Sequence, residues 1–212
     1  MASGIVDHNN SNDSYNMYDV TFFEHQIRTI VTHSEIPVDD WISETESIHR
    51  DKLHPLIVGF DIEWRPNRGP RQNNRVATVQ LCVERRCLIF QIIHAKTIPQ
   101  SLVDFLSNEN YSFVGVGIHS DLSKLEKFYG LRVCGNVIDL CTLAADKLGR
   151  NDLLRAGLKA LVREVLTKEL HKPKRITMSK WDKFNLTHGQ IQYACIDSYA
   201  SFEIGRVLKN RN

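Results

Sequence analysis

Four acids and one tyrosine are the residues of this sequence whose types and spacing point to chemistry. Asp61 and Glu63 stand two apart at the end of the apolar run Leu56–Trp64. Alternate residues of a strand share a face, so the two carboxylates point the same way. Packing gives an apolar strand no reason to end in two same-face charges, because unpaired buried charge is expensive. Asp121 follows a second apolar segment, Phe113–Ile118, in what reads as the first turn of a helix. Asp197 lies inside the pattern of a long C-terminal helix, with Tyr193 one turn earlier on the same face. Taken singly, Asp121 reads as a helix-start acid favoured by the dipole and Asp197 as a solvated helix position. Taken together, they read as one site. Carboxylates drawn from scattered elements suit a hard cation, which takes oxygen ligands.

The elements that must position these groups follow from periodicity. Leu56–Trp64 is nearly continuous in apolar residues and predicts a central strand buried on both faces. Val76–Val83 and Cys87–Ile93, joined by a tight charged turn at 84–86, predict an antiparallel hairpin. Tyr18–Phe23 and Gln26–Thr32 are rich in β-branched and aromatic residues and predict two more strands. Helical spacing recurs after Pro37 through Trp41, Ile42, Thr45 and Ile48, and over 99–107, 120–129, 139–148 and 157–166. Short strands are expected at 113–118 and 133–138, a basic loop through Lys183, and a final helix over 187–209 with Thr187 as its N-cap. This order predicts an α/β plan with a mixed central sheet. Residues 1–16, rich in Asn and Ser, are expected to be a disordered tail, and 17–212 a single domain.

Composition narrows the function classes. Lys and Arg number 27 against 25 Asp and Glu, so no global field advertises a polyanionic partner and any such patch must be local. Residues 163–183 hold seven Lys/Arg against three Asp/Glu. Lys172, Lys174, Arg175 and Lys180 in this run either track a phosphate backbone or form a solvated loop. Trp64 either stacks on a terminal base or caps the core. No apolar run reaches membrane-span length, and the N-terminus lacks the basic and apolar regions of a signal peptide. The expectation is therefore a soluble, membrane-free protein of the cytoplasm or nucleus. The five cysteines form no C-x-x-C pair and read as buried reduced thiols.

Three segments carry a resemblance to a known family. Phe60-Asp61-Ile62-Glu63-Trp64, Gly115 to Asp121 with Leu125, and Tyr193 to Ala200 resemble the three motifs of the DEDD 3′→5′ exonucleases. The third has the Tyr-x-x-x-Asp form, with Gln192 where the alternative form has histidine, so the likeness is to the DEDDy branch. Ser179-Lys180-Trp181, Leu186-Thr187, Gln190, Val79–Cys82 and Leu158–Val162 further resemble the exonuclease domain of the Werner syndrome helicase. The resemblance spans about 53–209 and is also to the small plant RISC-interacting clearing exoribonucleases. It is read as a free-standing exonuclease.

That resemblance implies a ribonuclease-H-like (DnaQ-like) fold with helices on both faces. It implies two Mg2+ ions, or Mn2+ in their place, held by Asp61, Glu63, Asp121 and Asp197. Asp61 would bridge both, Glu63 and Asp197 would hold the ion carrying the water, and Tyr193 would orient or help deprotonate that water. It further implies single-stranded RNA as substrate, a homo-hexamer, and an Argonaute/RISC partner in small-RNA pathways. DNA or dual specificity, or a catalytically silent RNA-binding scaffold, are the alternatives.

Overall fold

A computed structural model describes residues 3–9, 14–50, 55–69 and 71–211. Its elements run β1 Ser3–Asp7, β2 Tyr15–Phe22, β3 His25–Thr32, α1 Glu35–His49, β4 Ile57–Trp64, β5 Val76–Val83 and β6 Arg86–Phe90. They continue with α2 Gln100–Ser107, β7 Ser112–Gly115, α3 Ile118–Tyr129, β8 Asn136–Asp139, α4 Leu140–Leu148, α5 Leu158–Leu166, the short α6 Lys174–Thr177 and α7 His188–Lys209.

The eight strands form one mixed sheet in the order β1-β2-β3-β6-β5-β4-β7-β8. Strands β4, β7 and β8 are parallel to one another, as are β3 and β6, while the β5–β6 hairpin makes β5 antiparallel to both neighbours. Helices cover both faces. On one, Val58, Phe60 and Ile62 of β4 pack with Trp41 of α1, Phe105 of α2 and Leu125 of α3. On the other, the side chains of α4, α5 and α7 close over the sheet. Each fully buried large apolar side chain contributes about 1.5–3 kcal/mol.

The expected tail is corrected by the structure. Ser3–Asp7 pairs antiparallel with β2, from Ser3↔Phe22 to Asp7↔Tyr18. Ile5 packs against the α7-side core, and Asp7 Oδ2 lies 3.3 Å from His188 Nε2 at the start of α7. Backbone pairing, rather than a strong apolar pattern, holds this segment. Residues 1, 2 and 10–13 of the expected tail lie outside the described residues. The basic loop also contains one helical turn, α6. The strand expected at 113–118 ends at Gly115, because Gly117 turns left-handed (φ 68°) and opens α3.

The face of β4 that bears the acids meets α7 directly. A Cβ on Gly59 would lie 2.0 Å from the Ser198 carbonyl oxygen and 2.8 Å from the Phe202 nitrogen. Gly205 makes the matching approach from α7, where a Cβ would meet Val114 of β7 at 2.9 Å. Helix and strand backbones are thus closer than any side chain at residue 59 permits. Gly59→Ala is expected to destabilise the fold by about 1–3 kcal/mol or more. It is also expected to raise amide exchange along α7; an unchanged melting temperature with unchanged α7 protection would contradict this seating.

Candidate active site

Strand β4 delivers Asp61 and Glu63 to the α7 side, and the register places buried Gln80 and Thr78 directly opposite them. A bulge between Glu63 and Trp64 ends the regular pairing there. Helix α7, seated at Gly59, carries Asp197 to the same place. Oxygens of Asp61, Glu63 and Asp197 all lie within 4.8 Å of one another. Asp197 is 3% exposed, and its Oδ1 is buried without a hydrogen-bond partner among the described residues. Three converging carboxylates with an orphaned oxygen fit the donor set of a hard divalent cation.

The start of α7 is clamped. Thr187 caps the helix and exchanges hydrogen bonds with Gln190, whose Nε2 also donates to Ser179 Oγ at 2.9 Å. Tyr193, one turn on, leans on the fully buried Trp181, with ring centroids 5.9 Å apart. Its hydroxyl interacts with the Asp197 carboxylate. Beside them is a cavity of about 180 Å3 lined by Ser3, His171, Arg175, Gln192, Tyr193 and Asp197.

Asp121 stands in the first turn of α3 outside the three-carboxylate cluster, near enough to act on Asp61 electrostatically. Its helix is aimed by Asp139, which caps α4 with one carboxylate oxygen and with the other accepts from the Gly117 N–H at 2.8 Å.

Of the expected substrate-binding residues, Lys172 stands beside the carboxylates. Its Nζ lies 2.5 Å from Asp197 Oδ2 and 5.0 Å from the Tyr193 ring centroid, inside the carboxylate cluster. A carboxylate as buried as Asp197 needs a counter-charge, and Lys172 supplies it. Arg175 reaches the cavity wall, whereas Lys174 and Lys180 stay on the exposed surface. Trp64 is half-buried, packs on the α1–α3 side of the core, and carries Lys124 Nζ 4.8 Å from its ring.

Comparison with known proteins places this geometry in a family. A family model described as 3′-5′ exonuclease matches residues 28–211. The chain belongs to the 3′-5′ exonuclease family. A protein of Arabidopsis thaliana called 3′-5′ exonuclease is 40% identical over 163 residues, covering 76% of this chain and 55% of that protein. The bifunctional 3′-5′ exonuclease/ATP-dependent helicase WRN of Mus musculus is 38% identical over 155 residues, covering 73% of this chain and 11% of that protein. The chain thus spans about half the length of the former and a small part of the latter. The solved EXD2 exonuclease domain soaked in Mg and GMP superposes with TM-score 0.50 at 26% identity, over 83% of this chain and 85% of that one. Brucella melitensis NrnC shares the fold, with TM-score 0.62 at 22% identity over 76% and 75% of the two chains.

In this member of the 3′-5′ exonuclease family, burial and neighbouring charges raise the proton affinity of the carboxylates. Burial pushes Asp61 well up, and Asp197 and Asp121 add to it. Glu63 is raised by burial and then by Asp61 and Asp197. Burial raises Asp197 as well, although Lys172 and Tyr193 oppose it. Asp121 is pushed up to about 7 by burial, against the pull of Lys124. Burial disfavours the Lys172 charge, but Asp197, Asp61 and Glu63 outweigh it and its pKa is raised. Burial and the neighbouring carboxylates hold the Tyr193 phenol protonated.

The sign for stability follows from linkage. A carboxyl whose folded pKa exceeds its unfolded value stabilises fully below the unfolded pKa and loses that contribution as pH rises through the folded one. In EDTA the melting temperature is therefore expected to fall between about pH 5 and about pH 8. Asp121→Asn should flatten the upper part of that fall, and Mg2+ should offset it. A melting temperature in EDTA that rises over this range would contradict the assignment.

Proposed function

We propose that the chain is a divalent-metal-dependent 3′→5′ exonuclease that hydrolyses single-stranded nucleic acid, RNA in preference to DNA, to nucleoside monophosphates. The observation that carries this reading is the convergence of Asp61, Glu63 and Asp197, with Tyr193 against the same carboxylates. Two bound Mg2+ ions, with Mn2+ as substitute, would supply a nucleophilic water at neutral pH and charge stabilisation for the leaving oxygen.

The chain's own residues divide the remaining work. Asp61, which both Asp197 and Asp121 act on, would by the family resemblance be a ligand of the metal centre. Glu63 and Asp197 would hold the metal carrying the water, and Asp121 would support the second. Tyr193, whose hydroxyl stands against Asp197, would orient the attacking water or help deprotonate it. Lys172, paired with Asp197 in this structure, would stand as a cation near the substrate phosphate once a divalent ion satisfied that carboxylate. Arg175, on the cavity wall, faces the same polyanion.

The RNA preference rests on the likeness to the small plant exoribonucleases. The same likeness supports a homo-hexamer, an Argonaute/RISC partner and a cytoplasmic role in small-RNA pathways. The presence of all four acids and the tyrosine speaks against a silent scaffold. The test is decay of 5′-labelled single-stranded RNA and DNA of one sequence with Mg2+. A descending ladder that is faster on RNA and abolished by EDTA and by Asp61→Ala is expected. A faster DNA ladder would reverse the preference, and no ladder on either polymer with Mg2+ or Mn2+ would remove the enzymatic reading.

A further inference from the structure

The edge of the sheet that carries the carboxylates continues away from them over β5, β6 and β3. β5 begins, and β6 and β3 end, at the same edge where β4 presents Glu63, with Glu63↔Thr78, Val79↔Phe90 and Thr32↔Phe90 in register. Just beyond these strand ends sits Phe184. It is 56% exposed, with its ring 4.7 Å from the His33 ring and 5.3 Å from the His94 ring. His94 Nε2 is buried without a hydrogen-bond partner among the described residues, so this imidazole serves as packing under the phenyl ring.

The segment holding Phe184 is fixed at two points. Gln91 Nε2 donates to the Lys183 carbonyl at 3.2 Å and to the Phe184 carbonyl at 2.8 Å. Arg65, two residues beyond Glu63, pairs with Asp182 at 3.0 Å. Gln91 continues the alternation of Cys87 and Ile89, which face α7, so the anchor lies on the same side of the sheet as Asp61 and Glu63. Two or three strand spacings of about 4.8 Å separate β4 from β6 and β3, so the ring cluster, beyond the strand ends, lies at least about 10–14 Å from the acids. Exposed Lys180 and Lys183 precede it in the same segment.

Resting on the exonuclease reading, we infer that Phe184, backed by His33 and His94, is a stacking platform for a base of the single-stranded substrate a few nucleotides 5′ of the scissile bond. A rigid aromatic face serves any base, because every base presents a π surface. The arrangement therefore sets the length of strand the enzyme grips rather than its sequence.

The test is anisotropy of 5′-labelled oligonucleotides on the full chain in EDTA, which keeps binding apart from turnover. Phe184→Ala is expected to weaken binding of an oligonucleotide of about ten residues roughly 5- to 150-fold, and of a dinucleotide far less. Phe184→Trp should restore the affinity, and an abasic strand should not distinguish the variants. Equal loss at both lengths, or no loss, would overturn the platform. So would a changed mass by light scattering with unchanged oligonucleotide affinity, which would make this face a contact between copies. Should wild type degrade RNA while Phe184→Ala binds the long strand normally, only the platform falls. Absence of turnover in the decay assay removes the exonuclease reading by itself.

Discussion

The active site depends on how closely one helix can lie on one strand. Asp61 and Glu63 belong to β4 and Asp197 to α7, and their oxygens meet within 4.8 Å because nothing larger than hydrogen stands at residue 59. Helix and sheet ordinarily keep a layer of side chains between them. Here that layer is removed at Gly59 and thinned at Gly205. The capping of α7 by Thr187 and Gln190, and the Trp181 ring behind Tyr193, fix how far the helix slides along its seat.

That closeness creates an electrostatic conflict. Burial raises all three carboxylates, Asp197 raises Asp61, and Asp61 and Asp197 raise Glu63, while Asp197 retains an oxygen with no partner among the described residues. Lys172 offsets part of this through a single point charge on Asp197. A site that is underneutralised when empty binds a divalent cation more strongly than one already satisfied by protein groups. Stability given up in holding the acids together would return as affinity for a divalent cation.

Much of this was legible in the sequence where the signal is local. The Asp61–Glu63 spacing on an apolar strand, the Tyr193–Asp197 turn of a helix and the Thr187 cap are short strings whose geometry follows from strand and helix periods. What escaped is nonlocal. Ser3–Asp7 has only Ile5 and Val6 as β-branched residues in polar surroundings, and its order comes from β2 and from α7. Lys172 reads as one of several basic residues in a run until α7 brings Asp197 beside it. The Gly59 contact and the Gln91 anchor each join residues about ninety or more positions apart, which no window on the sequence can hold.

The most direct test of this account is diffraction from crystals soaked in Mn2+, using its anomalous signal. The account predicts an anomalous peak among Asp61, Glu63 and Asp197, with Asp197 Oδ1 coordinated and Lys172 Nζ moved off Oδ2. A peak absent from that cluster at saturating Mn2+, with Lys172 still on Asp197, would show that the lysine closes the site and would contradict the account.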